Sequence, residues 1–343
     1  KGRAGRCKEG IYIDWCPERE RLEFPLAEIL RSRLDQLVLR LAEAGFNMEE
    51  FEFFHQPDRK ATHSARKSLV ALGLLSKETG NVTEIGAKVA RFPVSVQIGR
   101  MIIEADARGV VLDVLKIASI LEVGGITSRG QSHVWRKFCS TENQSDVMAQ
   151  LAVYNAVQAM NPKPKGGDLE KMGVMGKNFD RAMGKFMQLM PVVKLHVSKL
   201  SSTGDREAII KAVCSGLVDH VYMSQGQEWV QESSYRRLNR DSVVPRSTRG
   251  LVVGLHFDID LGDSGTLNLI GMATRIDVDT LAEVAPQLVE VFDSEPWFEL
   301  QRSAVVLIRE IVFNGCSFGQ HEILVPDHPQ AEVLRKEFLG SMC

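Results

Sequence analysis

LAEILRSRLDQLVLRLAEAGF, residues 26–46, is the stretch on which the reading of the whole chain turns. Leu26, Ile29, Leu30, Leu34, Leu37, Val38, Leu41 and Ala44 recur at steps of three and four, which places them on one face of a helix. Arg31, Arg33, Asp35, Gln36, Arg40 and Glu43 take the opposite face. Pro25 suits the first turn, and Gly45 stands where a left-handed C-terminal cap belongs. A stripe this wide must be buried, so the helix is expected to pack into a larger core.

The chain around it, 343 residues and 44% hydrophobic, is long enough to fill two or three such cores. Its formal net charge is -2, so a nucleic-acid partner has to be sought in local clusters of charge rather than in the whole molecule. No apolar run approaches the roughly 20 residues that cross a bilayer, and the basic N-terminus lacks the apolar segment of a signal peptide. The expectation is an intracellular protein with no membrane partner, cytoplasmic or, in a eukaryote, nuclear. Cys7, Cys16, Cys139, Cys214, Cys316 and Cys343 lie far apart with no C-x-x-C pair, which excludes a zinc ribbon or disulfide framework and leaves six reduced thiols.

Lys1-Gly2-Arg3-Ala4-Gly5-Arg6 opens the sequence, followed by a short β-like run at residues 10–14. Two arginines three apart among glycines sit on a backbone that can approach a phosphate closely, although the same composition suits a solvated chain end. After Asp58, residues 59–75 read as a helix with Ala61, Ala65, Leu69 and Leu72 inward. A Gly80 turn then makes a small wing, and Thr83 caps a further helix that Pro93 stops. Helix, helix, wing and helix spell a winged helix. In isolation that module suits a DNA-binding regulator, here with Arg59, Lys60, Arg66 and Lys67 on its recognition helix.

Helical periodicity continues over residues 96–107, 110–123, 146–160, 178–200 and 205–216, with loops at 124–143 and 161–177. Residues 173–178, GVMGKN, are not a phosphate loop: the first glycine is misplaced, and Asn178 replaces the Ser/Thr that would hold magnesium. Lys163, Lys165, Lys171 and Lys177 are offset by Asp168 and Glu170 and read as a solvated loop. From residue 219 onward the pattern changes to short alternating strands with polar turns, the spacing of a small barrel or sandwich. Arg236, Arg237, Arg240, Arg246 and Arg249 fall within fourteen residues against one acid, Asp241, with Tyr235 and Trp229 nearby. Guanidinium forks bind phosphates and aromatic faces stack on bases, so this cluster is the strongest local nucleic-acid signal; a surface salt-bridge network is the alternative.

GRAGR, the strand GIYIDW, then FPLAEILRSRLDQLVLRLAEAGF and FEFFHQPD together resemble the DEAH-box (DEAH/RHA) family of ATP-dependent RNA helicases from the end of their sixth motif onward. Glu28, Ile29, Leu30, Arg31, Ser32 and Leu34 match the family's E-I-L-R-S-x-L, while Phe51, Phe53, Pro57 and Asp58 match its F-x-F-x-x-x-P-D. ALGLL, Thr83 with Gly86, and Phe92-Pro93 are its winged-helix marks. Ser145, Asp146, Tyr154 and Asn155 follow its S/G-D-x-x-x-x-L-x-V-Y-N pattern. Arg275, Asp277, Leu281 and Pro286 match the ending of its oligonucleotide-binding (OB) fold loosely, and the middle of that fold departs from the family. The likeness covers about residues 1–285; residues 288–343 resemble nothing recognised.

That resemblance implies a multidomain protein, mainly α with a C-terminal β part. Residues 1–20 would be a remnant of a second RecA-like domain, 21–92 a winged helix, 93–218 a helical ratchet domain, and 219–343 an OB-like barrel with an extension. It implies a motor that uses ATP and Mg to move along single-stranded RNA, together with upstream RecA-like domains and an activating protein partner. Arg3 and Arg6 would be arginine fingers on the β/γ-phosphates, with Gly2 and Gly5 beside the nucleotide. Arg236, Arg237, Arg240, Arg246, Arg249, Tyr235, Asp146 and Tyr154 would meet RNA, although Asp146 equally suits a helix N-terminus and Tyr154 a core. Neither G-x-x-x-x-G-K-[ST] nor D-E-A-H occurs in the sequence, so these residues alone are expected to hold no nucleotide and hydrolyse none. A non-catalytic nucleic-acid or protein-binding module and the winged-helix DNA regulator remain as alternatives.

Overall fold

The computed structural model describes residues 5, 7–13, 15, 27–140, 144–162, 164, 166–231, 234–262, 265–313, 316–325, 329 and 331–340. Within them the stripe of residues 26–46 divides. A 3-10 turn, Glu28–Leu30, is followed by a break, and α1 runs only over Asp35–Glu43. Ser32 Oγ turns back onto the Glu28 carbonyl (2.7 Å) and Arg33 clasps Asp35 (2.9 Å), local bonds that compete with a continuous helix. Leu34, Val38 and Leu39 are buried, whereas Leu30 is 41% exposed. The expected cap is present: Gly45 has φ +82°, Phe46 N–H donates to the Leu41 carbonyl and Gly45 N–H to that of Ala42.

Phe51 packs on Phe46 and Phe53, and Asp58 caps α2 (Arg59–Ala71) by accepting from Lys60 N–H. The buried positions of α2 are Thr62, Ala65 and Leu69, with Leu72 beyond its end; Ala61, expected inward, is exposed. Thr62 can turn inward because its hydroxyl is satisfied by the Asp58 carbonyl at 3.2 Å. Leu75 bridges Val82 across the Gly80 turn, and Thr83 caps α3 (Glu84–Ala90) through Gly86 N–H. Gly86 has to be glycine: a Cβ there would lie 2.1 Å from the Leu74 carbonyl oxygen.

The next helices are α4 (Val96–Arg108), α5 (Val111–Glu122), α6 (Ser132–Trp135), α7 (Asp146–Ala159), α8 (Gly166–Lys171), α9 (Gly176–Lys194) and α10 (Arg206–Ser215). The short α6 and α8 fall inside the two stretches expected to be loops, and α9 ends earlier than its periodicity suggests. Strands β1 (Val221–Gln225), β2 (Glu228–Gln231), β3 (Ser234–Leu238), β4 (Leu251–Asp260) and β5 (Thr266–Ile276) close a barrel in the order β1-β2-β3-β5-β4. The β3–β5 pair is parallel and the others are antiparallel. Helix α11 (Val278–Val284) leads to a four-stranded sheet in which β8 (Ala304–Phe313) pairs with β6 (Val289–Asp293), β7 (Trp297–Glu299) and β9 (Cys316–Leu324), and α12 (Ala331–Gly340) follows.

One apolar core runs from α1 through α5, α9 and α10 into α11 and the near end of the barrel at Val221, Leu251, Val253 and Ile276. Glu104 bridges Arg100 and Arg108, and Glu283 bridges Arg108 and Lys211, so charged pairs fasten α11 across α4 and α10. A second core lies around Trp135, Tyr154 and Phe179, and a third fills the barrel with Tyr222, Trp229, Leu238 and Ile270.

Candidate nucleic-acid interface

β3 carries Tyr235, Arg236 and Arg237 and feeds the loop of residues 239–250, which bears Arg240, Arg246 and Arg249 before β4 begins. The five arginines divide by their surroundings. Arg236 is held by Asp258 of β4 at 2.5 Å with little exposure, and Arg237 by Glu228 of β2 at 3.1 Å. Arg249 donates to the carbonyls of Ser247 and Thr248. Arg240 and Arg246 are exposed and have no hydrogen-bonded or ion-paired partner among the described residues. Tyr235 is half-exposed on the barrel surface, whereas Trp229 is 2% exposed inside it and offers no face to a base.

The loop itself is firmly held at the junction of barrel and helices. Asn239 N–H donates to the Ile270 carbonyl of β5, Gly130 N–H to Asp241, and Thr248 Oγ1 to Gln144 Oε1. Arg136 reaches the Ser242 carbonyl at 2.6 Å. Val243 is buried in the second core and Val244 in the third, so consecutive side chains of the loop fill two different cores.

Asp146 lies at the centre of this junction. Its Oδ1 accepts from Val243 N–H (2.7 Å) and Ser242 Oγ (2.9 Å), and its Oδ2 from Ala273 N–H of β5 (2.9 Å). Burial pushes its carboxyl up to about 6, against the pull of those three donors and of Arg136. Both oxygens are taken by the protein, so the direct contact with RNA expected of Asp146 is replaced by a tie between α7 and the barrel. Tyr154 is fully buried against Phe179, with the Lys116 ammonium 6.0 Å from its ring centroid, and its hydroxyl has no hydrogen-bond partner among the described residues. The interior position of α7's inward face withdraws it from any strand outside.

Sequence reasoning passed over the cations that the segment between α5 and α7 brings to the same place. Arg129 lies over the Phe257 ring of β4 at 5.9 Å, and Arg136 grips the loop as described. Their signal was available, as SRG and WRK in a stretch without periodicity, but nothing local says that it folds against the barrel. Arg275, on β5, touches Gln144 Oε1 at 3.4 Å. On α2, Arg66 donates to Asn47 and Ser68 to Asp219, while Arg59 and Lys60 are exposed. Gly5 is exposed with φ +80°; Gly2, Arg3 and Arg6 lie outside the described residues.

The barrel meets the helices through the loop of residues 239–250, and the exposed Arg240 and Arg246 of that loop have no hydrogen-bonded or ion-paired partner among the described residues. No family model matches the chain. It is similar to ATP-dependent RNA helicase HrpA of Escherichia coli, 26% identical over 92% of this chain and 25% of that protein. It is similar also to the pre-mRNA-splicing factor ATP-dependent RNA helicase prp22 of Schizosaccharomyces pombe, 28% identical over 74% of the chain and 22% of the relative. The HrpA homolog of Haemophilus influenzae is 26% identical over 92% of the chain and 26% of its own length. These relatives are DEAH-box ATP-dependent RNA helicases, in agreement with the motifs read from the sequence, and the chain spans about a quarter of the length of each. Among the described residues no helix is long and apolar enough to cross a membrane, and no three His, Cys, Asp or Glu side chains are grouped to hold a metal ion.

Proposed function

We propose that the chain is the C-terminal accessory region of an intracellular ATP-dependent RNA helicase, and that it holds single-stranded RNA along the seam between helices and barrel while motor domains do the chemistry. The observation that carries the reading is the loop of residues 239–250: a hydrogen-bonded segment whose Arg240 and Arg246 have no partner among the described residues, with Arg249 on the same loop and Arg129 and Arg275 on the segments that touch it. Unpaired cations on a fixed backbone meet phosphates without first breaking an ion pair. In this reading α1 to α3 with the wing form the winged helix, α4 to α10 the ratchet domain, and β1 to β5 the OB fold, with β6 to α12 as an extension.

ATP supplies the free energy for movement when it is bound between RecA-like domains. The residues this chain would bring to the nucleotide are Arg3 and Arg6, with Gly2 and Gly5. The part played by the described residues is to bind and orient the RNA.

Titration of a single-stranded RNA and a duplex DNA at two salt concentrations tests this. The expected result is salt-sensitive RNA binding that weakens in Arg240→Ala and Arg246→Ala. Duplex binding that depends instead on Arg59 and Lys67 of α2 would overturn it in favour of a DNA-binding regulator.

A further inference from the structure

We propose that Asp146 is a positioning residue for RNA binding: its buried carboxylate sets the course of the loop of residues 239–250 and hence the directions of Arg240 and Arg246. The proposal deepens the functional reading above and rests on it. Asp146 is the first residue of α7, but Ser145 caps that helix by accepting from Met148 N–H, so the Asp146 carboxylate is free for other donors. It collects them from two other segments, Ser242 and Val243 of the loop and Ala273 of β5. One side chain thus joins helix, barrel and loop, and the two arginines without partners among the described residues flank the point of attachment, Arg240 two residues before Ser242 and Arg246 three after Val243.

The backbone around these contacts is held in conformations that non-glycine residues seldom adopt. Gln144 has φ +43° and Met272, next to Ala273, has φ +53°. Such residues persist where their surroundings over-determine them, commonly at functional sites. An apolar side chain of similar volume would fill the space left by the carboxylate, yet it would leave two backbone N–H groups and a hydroxyl without acceptors. The loop would then find other acceptors, and Arg240 and Arg246 would have to be ordered again by the RNA itself.

The test is fluorescence anisotropy with a labelled single-stranded oligouridylate at neutral to mildly alkaline pH. Asp146→Asn keeps the shape but presents a donor to one of the three donors, and Ser242→Ala removes the hydroxyl's bond to Asp146 together with the acceptor of Val244 N–H, while Val243 and Ala273 N–H still hold the carboxylate. Affinity is expected to fall about tenfold in Asp146→Asn and about threefold in Ser242→Ala. In an Arg240→Ala/Arg246→Ala background both losses should shrink to less than about twofold, because the two arginines that Asp146 positions are then gone. Equal losses in both backgrounds, with the arginine effect intact, would show Asp146 to be structural only and overturn the proposal alone. Unchanged binding in the arginine double variant would overturn the functional reading and this proposal with it. Should Asp146→Asn fail to fold, Ser242→Ala carries the same comparison.

Discussion

Replacing Arg240 and Arg246 together by alanine should flatten the salt dependence of RNA binding. Each cation that neutralises one phosphate of a single strand contributes about 0.7 to the slope of log K against log salt. Both guanidiniums lack acid partners among the described residues, so the pair should account for about 1.4 of the slope. Between about 50 and 200 mM salt that amounts to a roughly sevenfold larger loss of affinity in the wild type than in the variant. Arg236→Ala/Arg237→Ala is the contrast, because those side chains already face Asp258 and Glu228. Their removal should change the slope by less than half as much, since an arginine that must leave a carboxylate to meet a phosphate gains little net charge neutralisation. Anisotropy titrations of an oligouridylate across that salt range measure both slopes. Equal slopes in the two double variants, or a wild-type slope near zero, would refute the reasoning.

Other consequences concern stability. Gly86→Ala should cost about 3 kcal/mol in urea denaturation, because its methyl would press on the Leu74 carbonyl; Gly80→Ala, with open space but φ +71°, should cost only about 1 kcal/mol. Equal losses at the two sites would contradict the close approach at Gly86. The carboxyl of Asp146 is raised by burial from 3.8 to about 6, so its contribution favours the folded state fully below pH 3.8 and is lost as pH rises through about 6. The stability of the wild type relative to Asp146→Asn should therefore fall between pH 4 and pH 7, by at most about 3 kcal/mol; a constant difference would show that the group is not shifted. Tyr154→Phe removes a buried hydroxyl that has no partner among the described residues, so it should leave stability unchanged or raise it by about 1 kcal/mol, with RNA affinity unaltered. A marked drop in affinity would place the ring in contact with RNA after all.

Much of this architecture is legible along the chain because it depends on neighbours in sequence. The alternation that begins at residue 219 announces the barrel strands, and Thr83 caps the helix that follows it. The limits of such reading are visible in residues 26–46, where the apolar period is the same for one long helix and for a 3-10 turn followed by a shorter α1. They recur in α2, where Thr62 displaces Ala61 from the interior once the Asp58 carbonyl satisfies its hydroxyl.

The sequence by itself determined the order of the elements and the cation-rich stretch of residues 236–249. Tertiary structure alone decided what each member of that stretch has to offer. Closure of the barrel brings Asp258 to Arg236 and Glu228 to Arg237, the packing of α7 sends the Asp146 carboxylate into the seam, and Trp229 turns inward. Whether a charge is free or already neutralised depends on which strand lies across from it, and strand partners distant in sequence are fixed by the register of the folded chain.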